Sequence, residues 1–147
     1  MYINCIVLEY VENRDFFDFI ANPSLSEQTV RYYFKQLTRA VHYMHSIGIA
    51  HYDLKTENIF VDADFNLKLG DFGIATSMSD IPLKVGGTPN YRAPEYLLNN
   101  KDSKHHSGAS ADMFSLGVIL FVMIAGLLPF NIATIEDEYY KLLLRNQ

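Results

Sequence analysis

The sequence predicts a mainly α chain with short β-strands, the α+β fold class, from three observations. Apolar residues recur at steps of three and four from Val30 to Met44, which is the spacing of one helix face. A second apolar run, residues 114–128, is longer than ordinary strands. The segments with β-type composition, among them 59–61 and 67–69, are very short. Helices therefore dominate the predicted fold.

The first half of the chain begins with short elements. Residues 3–10 are predicted to form a short buried strand, and residues 16–20 a short helix that the Asn22-Pro23 pair stops. Ser26 stands where an N-cap belongs, so the long helix begins after it. That helix is expected to run for about six turns, to Gly48 at its C′ position.

The second half alternates loops and helices. Short strands are expected at 49–50, 59–61 and 67–69, with a turn at 62–66 and a Gly-, Ser-, Thr- and Pro-rich loop at 70–95. A solvated connection at 99–110, a buried helix at 111–126 and an amphipathic stretch at 136–145 follow. Loops as long as 70–95 are usually functional, so the chemistry is expected there.

Composition places the chain among globular proteins. It has 147 residues, of which 49% are hydrophobic, with 12 Lys and Arg against 17 Asp and Glu. That length suits one domain with a real core, and the apolar fraction excludes disorder. The net charge of -5 gives no global attraction to nucleic acid or to an anionic membrane, although it leaves a local basic patch open. We therefore predict no nucleic-acid partner.

The single cysteine and the N-terminal residues bear on location. Cys5 has no second cysteine to pair with, and the first residues lack the basic region of a signal peptide. The apolar run at 114–128 falls short of the roughly 20 residues that a bilayer span needs, which favours a core helix and no membrane span. The predicted location is cytoplasmic, without excluding the nucleus.

Three short motifs carry the chemistry. Residues 51–58 read His-Tyr-Asp-Leu-Lys-Thr-Glu-Asn, residues 71–73 read Asp-Phe-Gly, and residues 93–95 read Ala-Pro-Glu. In order and spacing they resemble the catalytic loop and the two ends of the activation segment of the protein kinases. The resemblance implies the large helical lobe of the protein-kinase-like fold, with the small lobe largely absent. It also implies a small-lobe strand and hinge at 1–12 and an incomplete large lobe at 13–147.

The resemblance gives roles to four polar residues. Asp53 matches the base that accepts the substrate hydroxyl proton, and Lys55 matches the lysine that steadies the transferred phosphate. Asn58 and Asp71 match the ligands of Mg²⁺, which prefers oxygen donors. Taken singly, each residue could also be structural, because polar side chains are common in stabilising turns and in solvated loops.

The same resemblance indicates the acceptor and the activation segment. Lys55 in Asp-Leu-Lys-x-x-Asn and Thr88, which in the family touches the catalytic aspartate, favour a serine or threonine hydroxyl on a protein substrate. Thr76, Ser77 and Ser79 are candidate phosphorylation sites, or simply loop residues. The activation-segment residues implied are Asp71, Phe72, Gly73, Thr88, Ala93, Pro94 and Glu95.

The resemblance also implies an ATP site upstream. The backbone around Glu9 and Val11 would bind adenine, Leu8 would be the gatekeeper, and Asp15 would lie near the ribose or a basic substrate side chain. The cofactors implied are ATP and Mg²⁺. An ordinary core strand followed by a turn is the alternative interpretation of this stretch.

Two departures from the family limit the prediction. The usual His-Arg-Asp has Tyr52 in the middle, and a phenol cannot pair with an activation-loop phosphate as arginine does. The sequence contains no Gly-x-Gly-x-x-Gly loop, so this chain alone is expected to have little or no activity. The leading hypothesis is a partial serine/threonine kinase domain. Residues 128–130, Leu-Pro-Phe, resemble those of the calcium/calmodulin-dependent and related kinases. A noncatalytic, pseudokinase-like binding or regulatory module is the alternative.

Overall fold

The structure is a computed structural model that describes residues 5–13, 15–20, 25–80, 87–97 and 107–145. This part of the chain is mainly helical with a few short strands, which confirms the predicted fold class. The helices are α1 Phe16–Ile20, α2 Glu27–Ser46, α3 Pro94–Leu97, α4 Gly108–Ala125 and α5 Glu138–Arg145. The strands are β1 Ile49–Ala50, β2 Ile59–Val61, β3 Leu67–Leu69 and β4 Thr76–Ser77.

Helix α2 follows the sequence prediction closely. The Ser26 hydroxyl accepts a hydrogen bond of 3.1 Å from the amide of Thr29, which caps the helix start. Gly48 follows the helix with φ +80°, the left-handed conformation typical of C′. The buried side chains of α2 lie at helical spacing: Val30, Tyr33, Leu37, Val41 and Met44. The Asn22-Pro23 stop predicted for α1 lies outside the described residues.

Two antiparallel strand pairs fix the loops that carry the motifs. In the hairpin, β2 pairs with β3 and Ile59 lies opposite Leu69. β1 pairs with β4, so that Ala50 lies opposite Thr76. β1 leads into the first motif, residues 51–58, and β4 follows the second motif, residues 71–73. The β1–β4 pair therefore joins the start of the first motif to the segment that follows the second motif.

Helices α2 and α4 pack together to form the core with α1 and the hairpin. Within the described residues, α4 is the one helix that is long and apolar enough to cross a membrane. One face of α4 is buried and the other is open, since Leu116 and Ile119 are buried while Ile124 is 62% exposed. The helix that was predicted to be buried is therefore buried on one face only.

Three sequence predictions need correction. Residues 5–10 form no strand in the structure, and Val7 is 90% exposed, because no strand in the described chain pairs with this segment. Helix α4 begins at Gly108 rather than at residue 111, since the Ser107 carbonyl already accepts from Ala111. Helix α5 begins two residues later than predicted because Asp137 caps it, accepting 3.0 Å from the amide of Tyr140.

Candidate functional site

The first motif forms the loop between β1 and β2. Its backbone turns sharply at Tyr52, which has φ 65°, a conformation that non-glycine residues rarely adopt. Leu54 and Thr56, which follow Asp53, are fully buried and anchor the loop. A short 3₁₀ turn, Thr56–Asn58, then leads into β2.

Asp112 on α4 stabilises this turn by hydrogen bonds to its backbone. Its side chain is fully buried and accepts hydrogen bonds of 2.8 Å from the His51 amide and 2.9 Å from the Tyr52 amide. His45 on α2 lies 2.8 Å from the same carboxylate through Nε2. A buried carboxylate is costly unless paired, and this one has three partners. Asp112 therefore fixes the backbone of the catalytic loop at His51 and Tyr52.

The Asp53 carboxylate is the centre of the site. Its Oδ2 accepts a 3.1 Å hydrogen bond from Asn58 Nδ2 and lies 3.3 Å from Lys55 Nζ. Its Oδ1 accepts 3.1 Å from the backbone amide of Thr88. Lys55 Nζ in turn donates a 3.0 Å bond to Thr88 Oγ1. Four residues that the sequence singled out therefore meet in one hydrogen-bonded cluster, which we call the Asp53 cluster.

Gly87 allows the Thr88 backbone to approach Asp53 closely enough for this hydrogen bond. Its φ is +91°, and an added Cβ would lie 3.2 Å from Asp53 Oδ1 and 3.2 Å from the Tyr52 carbonyl oxygen. A larger residue would push this segment away from the loop. Arg92 supports the turn by donating 2.5 Å from Nη2 to the Gly87 carbonyl. Sequence reasoning did not single out Gly87 for this role, although its position next to Thr88 is a usable signal.

Asn58 and Asp71 are brought near each other by the hairpin. The amide of Gly70, which precedes Asp71, donates 2.9 Å to the Asn58 carbonyl. Asn58 Nδ2 bonds the Asp53 backbone and side chain, which leaves its Oδ1 as the atom suited to a cation. Asp71 is exposed, with φ 57°. An amide and a carboxylate oxygen suit Mg²⁺ with waters completing its shell.

His51 connects the first two motifs, a role that sequence reasoning missed. It is fully buried, and its Nδ1 accepts 3.3 Å from the Asp53 amide while Nε2 lies 3.0 Å from the Gly70 carbonyl. Since Nδ1 accepts, the ring proton belongs on Nε2. The Phe72 ring lies 5.1 Å from the imidazole, centroid to centroid. The signal available in the sequence was the place of His51 two residues before Asp53.

The predicted adenine and ribose residues make other contacts. Glu9 lies 3.1 Å from Lys68 on β3, and this bond is the main reason that the pKa of Lys68 is raised. The Asp15 carboxylate accepts a 2.9 Å hydrogen bond from the Asp18 amide and so caps α1. Leu8 is 79% exposed and Val11 is half-buried. The structure thus connects Glu9 with the hairpin and Asp15 with α1.

The third motif forms the start of α3, where Ala93 is buried and Pro94 opens the helix before Glu95. The preceding Tyr91, which the sequence analysis did not select, anchors it. Its hydroxyl lies 2.9 Å from Thr56 Oγ1, and burial raises its pKa.

Comparison with known proteins agrees with this geometry. The sequence profile of the protein kinase domain matches residues 2–146. The chain belongs to the protein kinase family. Its relatives include CBL-interacting protein kinase 31 of Oryza sativa subsp. japonica, 44% identical over 93% of this chain and 31% of the relative. CBL-interacting serine/threonine-protein kinase 3 of Arabidopsis thaliana is 43% identical over 93% of this chain and 32% of the relative.

The kinase sequence thus spans about a third of the length of the curated relatives it matches. The comparisons support a serine/threonine protein kinase domain of which this chain carries a part. Protein kinases in general use ATP and Mg²⁺ and act on proteins. The predicted roles of Asp53, Lys55, Asn58 and Asp71 are consistent with where the structure places them, and they stay predictions.

Proposed function

We propose that this chain supplies the catalytic loop and activation segment of a serine/threonine kinase that transfers the γ-phosphoryl group of MgATP to a protein. The observation that carries the proposal is the Asp53 cluster. One carboxylate is oriented by Asn58 and by the Thr88 amide, with the Lys55 ammonium beside it. An exposed loop with four unrelated polar residues would not need such mutual contacts.

Each residue of the cluster has a task in this reaction. Asp53 would accept the proton of the substrate hydroxyl as that oxygen bonds to the γ-phosphorus and ADP leaves with the bridging oxygen. Asn58 keeps the carboxylate in the orientation that this requires. Lys55, only 20% exposed, holds positive charge where negative charge develops. Bound MgATP supplies the phosphoryl group, and Asn58 and Asp71 are the residues that would hold its metal ion.

The link between Lys55 and Thr88 supports a serine or threonine acceptor. Because the Thr88 hydroxyl accepts from Lys55 while its amide donates to Asp53, the activation segment lies against the base. By the family resemblance, Lys55 and Thr88 at these positions favour the short aliphatic hydroxyl of serine or threonine as the acceptor. A location in the cytoplasm, without excluding the nucleus, stays part of the proposal and follows from the sequence alone.

A chimera tests the catalytic role. This chain would replace the segment that it matches in the Oryza sativa kinase, so that the remaining lobes come from the relative. We expect the chimera to phosphorylate a generic Ser/Thr peptide, and Asp53→Asn to lower kcat by about a thousandfold or more. Asp64→Asn, an exposed turn residue, is the matched control and should leave kcat within about twofold.

The chimera also discriminates between the two hypotheses. A folded chimera that transfers no phosphate, or one whose activity survives Asp53→Asn, would contradict the catalytic proposal. A folded chimera without transfer would favour the noncatalytic binding module. The purified chain serves as a further comparison, since we expect it to show little transfer without a Gly-rich phosphate loop.

A further inference from the structure

Tyr52 makes a contact that the catalytic proposal does not use. The Tyr52 hydroxyl donates a 2.7 Å hydrogen bond to the Asp80 carbonyl. The two residues lie 28 positions apart. The bond therefore joins the catalytic loop directly to the activation segment.

The surroundings of the Tyr52 ring are shaped to hold it. The ring of Tyr96 on α3 packs edge-on against it, with centroids 5.6 Å apart. Gly108 at the start of α4 lies so close that an added Cβ would be 2.6 Å from the Tyr52 hydroxyl and 2.5 Å from Ala50. The Tyr52 side chain thus contacts the activation segment, α3 and α4. The lack of a side chain at Gly108 leaves the space that the Tyr52 ring occupies.

Backbone bonds among the described residues also hold the segment around Asp80, including one of 3.5 Å from the Gly108 amide to the Met78 carbonyl. The Met78 amide donates 2.9 Å to the Gly48 carbonyl, next to the short β1–β4 pair. The Asp80 amide donates 3.0 Å to Ser77 within the segment itself. The Tyr52 hydroxyl is therefore the link between Asp80 and the catalytic loop in the described contacts.

We propose that Tyr52 is a positioning residue that holds the activation segment to the catalytic loop at Asp80, by a neutral hydrogen bond that needs no phosphate. Burial is the main reason that the pKa of Tyr52 is raised, so its phenol stays neutral in the cell. A phosphate on the segment would be bound by a cation, which this position lacks. The expected effect of Tyr52 on catalysis rests on the proposed kinase function, whereas the hydrogen bond between Tyr52 and Asp80 does not.

Hydrogen exchange in the purified chain tests the contact without any activity assay. Tyr52→Phe keeps the ring and removes the hydroxyl. We expect the Met78 and Asp80 amides to exchange about twofold to tenfold faster, the factor for one neutral hydrogen bond, while the Val41 amide in α2 is unchanged. Tyr43→Phe, at a side chain that is 65% exposed, is the matched control and should change none of them.

A measurement on the unmodified chain guards against a variant that fails to fold. The Tyr52 hydroxyl proton should exchange slowly enough with water to be observed by NMR, unlike that of Tyr43. Unchanged Met78 and Asp80 exchange in folded Tyr52→Phe, or a Tyr52 hydroxyl as labile as that of Tyr43, would overturn the proposal.

The chimera described above tests the consequence. Tyr52→Phe should lower kcat with little change in KM for ATP, and phosphatase treatment should leave the activity of the Tyr52 form unchanged. Loss of activity on dephosphorylation would show that a phosphate holds the segment and would overturn the proposal. An inactive chimera would contradict the proposed function alone, because the exchange measurement decides the contact separately.

Discussion

The backbone amide of Thr88 donates a 3.1 Å hydrogen bond to the Asp53 carboxylate across 35 residues of chain. Residues 54–58 and the hairpin lie between the two in sequence, and the bond agrees with the contact that the family resemblance implies for Thr88. The bond orients a carboxylate that also faces Lys55 and Asn58. It makes the end of the activation segment part of the site.

Gly87→Ala should destabilise the fold. The substitution places a Cβ 3.2 Å from Asp53 Oδ1 and forces alanine into a φ of +91°. We expect the free energy of unfolding to fall by about 1–2 kcal/mol in urea titrations. Gly117→Ala is the control, since a Cβ there meets nothing within 4 Å in helix α4, and it should add about 1 kcal/mol. Equal effects of both would contradict the predicted strain.

Thr88→Ala should reduce phosphoryl transfer in the chimera. It removes the hydroxyl that accepts from Lys55 but keeps the amide bond to Asp53. We expect kcat to fall about tenfold, the factor for one hydrogen bond to a charged group. Thr88→Ser keeps the hydroxyl and should retain most of the rate in steady-state peptide phosphorylation. A serine variant as slow as the alanine variant would point to the lost methyl group instead.

Asp112→Asn should be among the most damaging conservative changes. The fully buried carboxylate serves the amides of His51 and Tyr52 together with His45, and an asparagine directs N–H donors toward one of them. We expect unfolding free energy to drop by about 2–4 kcal/mol in denaturant titrations. Asp64→Asn in an exposed turn should change it by less than about 0.5 kcal/mol. Similar effects at both positions would argue against the role of Asp112.

Asp137 should make stability depend on acid pH. The hydrogen bond from the Tyr140 amide, with those from Asn131, Ile132 and Tyr139, lowers its pKa below 3.8. Because the folded pKa is the lower one, this stabilisation is present above pH 3.8 and is lost as pH falls through the folded pKa.

The measurement for Asp137 is urea unfolding at pH 5 and pH 2.5. The unmodified chain should lose more stability between the two than Asp137→Asn, whose side chain does not titrate. Asp64→Asn, at an exposed turn residue, is the control. If Asp137→Asn loses as much stability as the unmodified chain, other carboxylates account for the acid sensitivity.

Local patterns were sufficient for the elements that depend on neighbours in sequence. The apolar spacing and the Ser26 cap predicted helix α2, and the β2–β3 hairpin followed from its turn residues. The same reasoning failed at residues 5–10, because a strand needs a partner that only the folded chain can provide. It also placed the start of α4 too late, since Gly108 becomes helical against Ala50 and Tyr52.

The sequence by itself determined the family and the identity of the polar residues, because motif order and spacing are written in the chain. Only the tertiary structure decided which of them touch. Lys55 meets Thr88, Asp112 meets the Tyr52 amide, and the Tyr52 hydroxyl meets Asp80. These contacts join residues 28 to 60 positions apart, and they arise when helices and strands bury their apolar faces together. No property of the isolated segments specifies them.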